Sequence, residues 1–490
     1  MATTTTAEPA VLGSTPLIRR PIVWLIAVAA LLVLIQFAVL VWSRGLGWDE
    51  ALYVGQVSPR VPAANFSAPR ARGITYLIAP AVWLTGSIPA LRAYLAILGG
   101  AAIVLAYWPW LAVASRRPVV PLAALLFSGL WITSYYTTEI IPNFWVAVAG
   151  VSLAGWFVRY VVAGGRGPLV GVVLSGAVVA LMRPGDAFWI ALPLLAGVVL
   201  VRSLRRPALL IATVAGLVLG VAEWIIEAFV RFGGPLARLS QSSANEGGMS
   251  WNPIGAVYEL RSLNGPLLCR PCGVGVDHPS LVLWWLAIPF LVAAGLILAA
   301  RAHSLMPSAV ATACGVSVAV PYMLLLGYAA PRFLLPAYAL LALPVAECLT
   351  RLPATFPSAR RPLIAIIGLA VVGQLCGQQL TLVRQAHHNS AEKVMYIHGA
   401  IALQRLGLHA PCLLNGPRSI PIAFYVSCHT DTTTGIPRSM TPAQRLAVSR
   451  GEPIAILSQG TPPPKYAASW RQRPVNAIGR RWVVYLSPDF

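Results

Sequence analysis

Apolar positions along the chain gather into long runs separated by short polar loops, at about residues 21–42, 91–114, 118–133, 143–163, 168–182, 187–201, 207–230, 281–300, 307–326, 333–350 and 362–380. Most of these runs approach the roughly 20 residues that a helix needs to cross a bilayer core. The pattern therefore predicts an α-helical polytopic membrane protein with about eleven transmembrane helices. The first run follows Arg19 and Arg20 but exceeds the roughly 7–15 apolar residues of a signal-peptide core, so it reads as a retained span behind a disordered tail at 1–20. Runs 118–133 and 168–182 are short for a full crossing. Beyond about residue 380 the long runs stop. Short apolar stretches at Cys412–Leu414, Ile454–Leu457 and Trp482–Leu486 alternate there with helical patterns near Ile420–Val426 and Pro442–Ser449. Residues 381–490 are accordingly expected to form a small soluble α/β domain.

Charge orients this arrangement. With the amino terminus in the cytoplasm, the inside loops carry Arg19, Arg20, Arg116, Arg117, Arg166, Arg202, Arg205, Arg206, Arg301, Arg351, Arg360 and Arg361, the bias expected of cytoplasmic loops. Residues 43–90, 134–142, 231–280 and the carboxy-terminal domain then lie outside, and chemistry is expected on that extracytoplasmic face. Composition agrees: 57% of residues are apolar and 10% charged, against roughly a quarter charged in soluble domains. The excess of 36 Lys plus Arg over 15 Asp plus Glu would suggest nucleic acid in a soluble chain. Sorted by membrane side it does not, and the expected surroundings are membrane lipids, with no nucleic acid. Cys269, Cys272, Cys412 and Cys428 all fall outside, where an oxidising compartment favours disulfides Cys269–Cys272 and Cys412–Cys428. A metal-binding or redox role for the C-x-x-C pair is the alternative.

With so few acids, each one is informative. Asp49 and Glu50 stand side by side just beyond the first span, and Glu139 is the only acid between Glu50 and Asp186. A carboxylate at such a surface can act as a general base, ligate a divalent cation or simply pair with an arginine. Arg332, in Ala330-Pro331-Arg332-Phe333-Leu334-Leu335-Pro336, is placed to bind a phosphate at headgroup level or to snorkel. Arg183 and Asp186 bracket a Pro-Gly turn and suggest a local pair. Glu223 and Glu227, four residues apart on one helical face, either line a cavity, pair with Arg231, or mark a proton or cation path.

Taken in order, the Asp49-Glu50 loop, Leu91-Arg92, the Glu139 loop and the Arg332-Phe333-Leu334-Leu335-Pro336 run resemble the GT-C membrane glycosyltransferases. The resemblance is to the dolichyl-phosphate-mannose protein mannosyltransferase and aminoarabinose transferase group, and it spans most of residues 20–350. It implies that Asp49 is the catalytic base, that Glu50 and Glu139 support it or orient the acceptor, and that Arg332 and Arg92 bind the donor phosphate. The implied donor is a polyprenyl-phosphate-linked hexose or pentose, and the acceptor a lipid, glycan or protein of the cell envelope. The implied reaction is an inverting single displacement. A divalent metal at Asp49 and Glu139 is left open. Where many relatives carry a His-Pro stretch, this chain has Phe66-Ser67-Ala68-Pro69-Arg70, and the acceptor site is expected to differ. An ion-coupled secondary transporter and a noncatalytic envelope-polymer binding protein are the competing classes. The former would rely on Glu223 or Glu227, the latter on the basic outer domain.

Overall fold

The computed structural model describes residues 20–42, 45–270, 272–275, 280–431, 436 and 439–488. The tail expected at 1–20 lies outside them, except for Arg20. All eleven apolar stretches are helical. In chain order the first nine helices are α1 (Pro21–Val39), α2 (Trp48–Gly55), α3 (Gly73–Leu84), α4 (Ile88–Tyr107), α5 (Val119–Ser128), α6 (Trp131–Thr138), α7 (Asn143–Ala163), α8 (Arg166–Met182) and α9 (Pro184–Leu200). They are followed by α10 (Pro207–Arg231), α11 (Pro235–Glu246), α12 (Ile254–Ser262), α13 (Ser280–Arg301), α14 (Leu305–Leu324), α15 (Leu335–Thr355), α16 (Arg360–Arg405), α17 (Ser419–Val426) and α18 (Pro442–Ser449). Among the described residues eight helices are long and apolar enough to cross a bilayer, and the bent pair α5–α6 makes a ninth. Helices α8 and α9, which cover the expected runs 168–182 and 187–201, have 17 residues each and stop short of that length.

Packing is closest where side chains vanish. In the α8–α10 pair a Cβ at Gly216 would stand 2.6 Å from the Val173 carbonyl oxygen, so only glycine lets these backbones meet. The segment Pro331–Thr355 is the centre of the bundle, with 78% of its most apolar stretch buried, whereas the corresponding stretch of Pro357–Arg405 is only 6% buried and runs along the outside.

Two departures from the apolar pattern build the functional end. Residues 134–142, expected as a plain loop, are mostly helix: α5 and α6 meet at a 71° bend. A break inside a bundle exposes backbone groups that must find partners away from water. Here Gln378 accepts from the Trp131 N–H at 3.0 Å, Gln379 donates to the Gly129 carbonyl at 3.2 Å, and Gln36 donates to the Ser134 carbonyl at 3.1 Å. The second departure is α16, whose 46 residues cross the expected domain border at 381 without interruption. Its buried stripe of Gln378, Thr381, Leu382, Asn389, Lys393, Tyr396 and Ala400 follows the three-to-four spacing of one helix face. The helix therefore joins the bundle to the carboxy-terminal unit as a single rod.

That unit is a four-stranded sheet in the order β1-β2-β4-β3, comprising β1 (Leu413–Asn415), β2 (Ile454–Gln459), β3 (Arg471–Pro474) and β4 (Trp482–Leu486). Strands β1 and β2 are parallel and the other pairings antiparallel. Helix α17 and the end of α16 cover it through Tyr396, Leu403, Ile422 and Val426. The three strands expected from apolar runs are present, and the polar, largely exposed edge strand β3 is the one the pattern did not indicate. Cys412 and Cys428 are bonded in this unit, and Cys269 and Cys272 in the segment after α12.

Candidate active site

A cavity of about 730 Å³ opens where α2, α6, the loop before α3 and the far half of α16 meet, and Asp49, Glu50, Glu139, Arg332, Arg70 and Lys393 are on its wall. Helix α2 starts at Trp48 because the Glu50 carboxylate, three residues in, turns back to accept the Gly47 N–H at 2.7 Å. That places Glu50 inward and leaves Asp49, one position earlier, facing the cavity.

Beneath the wall lies a buried square of charge. Glu50 Oε2 is 3.0 Å from both Arg92 Nη2 and Lys393 Nζ, and Glu139 Oε1 is 3.0 Å from Arg92 Nη1 and 2.7 Å from Lys393 Nζ. The Ile140 N–H donates to Glu50 Oε1 at 3.2 Å, and Arg92 also donates to the carbonyls of Thr138 and Gly45, each at 2.9 Å. Two anions and two cations leave no net charge, which is the condition for holding ions out of water. Burial pushes the Glu50 carboxyl up, but Arg92, Lys393 and the Gly47 N–H outweigh it and hold it far below the usual glutamate range. Burial and the neighbouring Glu50 charge instead raise Glu139 above that range, against the pull of Lys393 and Arg92. The carboxy-terminal unit adds one more tie, since the Leu46 N–H donates to the Tyr425 hydroxyl at 2.8 Å.

Asp49 sits in a different environment. Its Oδ1 is 2.6 Å from Arg70 Nη2 and its Oδ2 3.6 Å from Arg332 Nη2, and its side chain is 26% exposed. Burial favours the neutral acid, but the two guanidiniums prevail and hold the carboxyl below the ordinary aspartate range. Arg70 is braced by the Ser67 hydroxyl at 3.1 Å and by the faces of Trp48 and Tyr53. Arg332 donates to the Leu267 carbonyl at 3.0 Å. Two residues beyond Leu267, Cys269 exchanges backbone hydrogen bonds with Ala329 at 2.8 and 3.3 Å. The Cys269–Cys272 disulfide thus closes the segment that holds the arginine. Arg183 also faces the cavity, ion-paired to Asp186 at 3.1 Å and bonded to the Tyr322 hydroxyl at 3.1 Å.

Several expectations change here. Arg92, expected on the donor phosphate, is 1% exposed and lies behind the wall with both terminal nitrogens engaged by Glu50, Glu139 and two carbonyls. It is a counter-ion of the square, and Arg70 is the arginine that lines the cavity beside Asp49. The metal left open at Asp49 and Glu139 finds no donor set. Each carboxylate already faces two cations, and among the described residues no three His, Cys, Asp or Glu side chains converge. Glu227 pairs with Arg72, Arg231 and Arg238, at 2.6, 3.2 and 2.9 Å, and Glu223 lies 3.8 Å from Arg72. Glu227, so enclosed by guanidiniums, is a poor proton relay, which weakens the transporter reading of this helix face. Sequence reasoning missed Lys393 and Tyr425. One signal for the former was available: it is one of only two lysines in an arginine-rich chain.

No family model matches the sequence, and neither does any curated protein. Among solved structures the chain shares the fold of the GT-C membrane glycosyltransferases. It is similar to ArnT from Cupriavidus metallidurans bound to undecaprenyl phosphate, at TM-score 0.62 and 14% identity over 94% of this chain and 98% of that one. For ArnT in the apo state the values are 0.60, 14%, 94% and 97%. The oligosaccharyltransferase of Archaeoglobus fulgidus, in complex with Zn and sulfate, is similar at TM-score 0.54 and 14% identity, over 88% of this chain and 67% of its own length.

Proposed function

We propose that the protein transfers a hexose or pentose from a polyprenyl-phosphate-linked donor to a lipid, glycan or protein acceptor of the cell envelope, on the extracytoplasmic face. The observation that carries this reading is Asp49 on the wall of a roomy cavity, sharing two arginines with whatever anion enters. Undecaprenyl phosphate bound to ArnT, a protein of the same fold, supports a polyprenyl donor. The arginine-rich loops at 116–117, 166 and 202–206 lie at the helix ends away from the cavity, which supports an outward-facing site under the positive-inside bias.

In this reaction Asp49 removes the proton of the acceptor hydroxyl, the oxygen attacks the anomeric carbon from the side opposite the phosphate, and the polyprenyl phosphate leaves. The sugar inverts because one displacement occurs. Arg70 and Arg332 receive the departing phosphate as charge grows on it. Glu50 and Glu139 act through position: with Arg92 and Lys393 they fix the start of α2 and the end of α6, the two walls between which the sugar would lie. The test is transfer from a panel of radiolabelled polyprenyl-phosphate sugars in membranes holding wild type or Asp49→Asn at matched levels. Labelled product from wild type and at least about a hundredfold less from the variant supports the assignment. Equal product from both removes Asp49 from the chemistry, and no product with any donor retires the transferase reading.

A further inference from the structure

Arg238 is fully buried, yet no part of it reaches the cavity. Its guanidinium is spent on backbone: Nε donates to the Ala68 carbonyl at 3.1 Å, Nη2 to the Arg70 carbonyl at 2.8 Å and Nη1 to the Trp224 carbonyl at 2.6 Å. Nη2 also meets Glu227 Oε2 at 2.9 Å, and the rings of Trp224 and Phe232 lie at 4.4 and 4.6 Å. The other oxygen of Glu227 takes Arg72 Nε at 2.7 Å, and Arg72 rests 4.3 Å from the centre of the Phe66 ring. The loop from Phe66 to Arg72, which turns at Ala68 and Pro69, is therefore gripped at both ends, and Arg70 lies between the grips.

Burying a guanidinium is costly unless nearly all its donors are engaged. What this one secures is the backbone of the residue whose side chain meets Asp49. We propose that Glu227 and Arg238 are positioning residues that hold Arg70 in register with Asp49, an inference that rests on Arg70 receiving the donor phosphate. The planar fork matters, because three carbonyls and a carboxylate are reached from one rigid group. A lysine supplies charge without that fork.

Two readouts test this on full-length protein in lipid nanodiscs. The first needs no activity: hydrogen exchange of the amides of residues 66–72, with α5 residues 119–128 as the internal reference. Arg238→Lys is expected to speed exchange in 66–72 by about tenfold, the loss of roughly one charged hydrogen bond, while 119–128 stays unchanged. Glu227→Gln, which keeps an acceptor for Arg72, is the second variant should the first fail to accumulate, and it should give the same local pattern. The second readout is the donor kcat/KM, expected to fall about tenfold in Arg238→Lys and to fall no further when the change is made in Arg70→Ala. Unchanged exchange in 66–72, or losses that multiply with those of Arg70→Ala, would overturn the proposal. A wild type that transfers no sugar from any donor defeats the transferase reading, and the exchange experiment still decides whether the clasp exists.

Discussion

The buried square makes the most demanding prediction. Lys393→Met keeps the length of the side chain and removes its charge, leaving Glu50 and Glu139 with Arg92 alone. The ammonium lies 3.0 and 2.7 Å from the two carboxylates, and losing one member of a buried ion network costs roughly 3–5 kcal/mol once desolvation is counted. The loss must also depend on pH. Glu139 already has a pKa above that of the unfolded chain, so the folded protein holds its proton more tightly. Removing Lys393 raises it further, and below that raised value the proton neutralises the excess negative charge. The variant should therefore be hurt most at high pH, with the deficit shrinking by up to about 1.4 kcal/mol per pH unit as pH falls through this window. Glu50 is held below its unfolded value, so its contribution is constant above about pH 5.5 and is lost only in stronger acid. Denaturant unfolding followed by tryptophan fluorescence across pH 5 to pH 8 measures both effects. Adding Glu139→Gln to Lys393→Met restores neutrality and should recover more than half of the pH 8 loss. A loss below about 1 kcal/mol, or one constant across this pH range, would refute the reasoning.

Other consequences are simpler to check. Because Arg70 and Arg332 hold Asp49 ionised, kcat/KM, which reports the free enzyme, should stay level as pH falls through the ordinary aspartate range and drop only below it. An acid limb above about pH 4.5 would contradict this. Arg332→Met should cut donor kcat/KM about 10- to 100-fold in the transfer assay, the worth of a charged hydrogen bond, with thermal unfolding little changed. A Cβ at Gly45 would overlap the Lys393 side chain and backbone, so Gly45→Ala should cost roughly 1–3 kcal/mol in the same denaturant titration.

What could be read from the sequence follows from how far apart the partners lie. Long apolar runs declare themselves, and so do Asp49, Glu139 and Arg332, because charges are scarce in such a chain. The break between α5 and α6 does not, since the run 118–133 passes straight through Gly129; the bend is held by Gln378 and Gln379, about 250 residues away. Arg92 was expected on the donor phosphate, whereas in the structure its charge is answered by Glu50 and Glu139, more than forty positions away along the chain. Lys393 was missed for the same reason, meeting Glu139 across 254 positions, although its rarity as a lysine was a signal. The continuity of α16 past 381 was missed because its buried stripe turns polar there, which on composition alone reads as the start of a soluble domain.

The two groups of charge divide the work in the proposed reaction. The square is neutral and closed, and it sets the walls. Asp49, Arg70 and Arg332 together carry one positive charge, which matches a donor phosphodiester with its single negative charge. As the acceptor proton moves to Asp49, that set becomes doubly positive, while the departing phosphate becomes a monoester carrying up to about two negative charges. The arginines thus lose their carboxylate partner in the same step in which the phosphate gains charge. Their hydrogen bonds to it strengthen toward the transition state and are weaker in the ground state, the condition under which binding accelerates a reaction. An arginine bonded only to the donor would tighten binding without this change. In the proposed reaction the pairing of Asp49 with Arg70 and Arg332 therefore serves the chemistry: Asp49 restrains the two guanidiniums until its own protonation releases them to the leaving group.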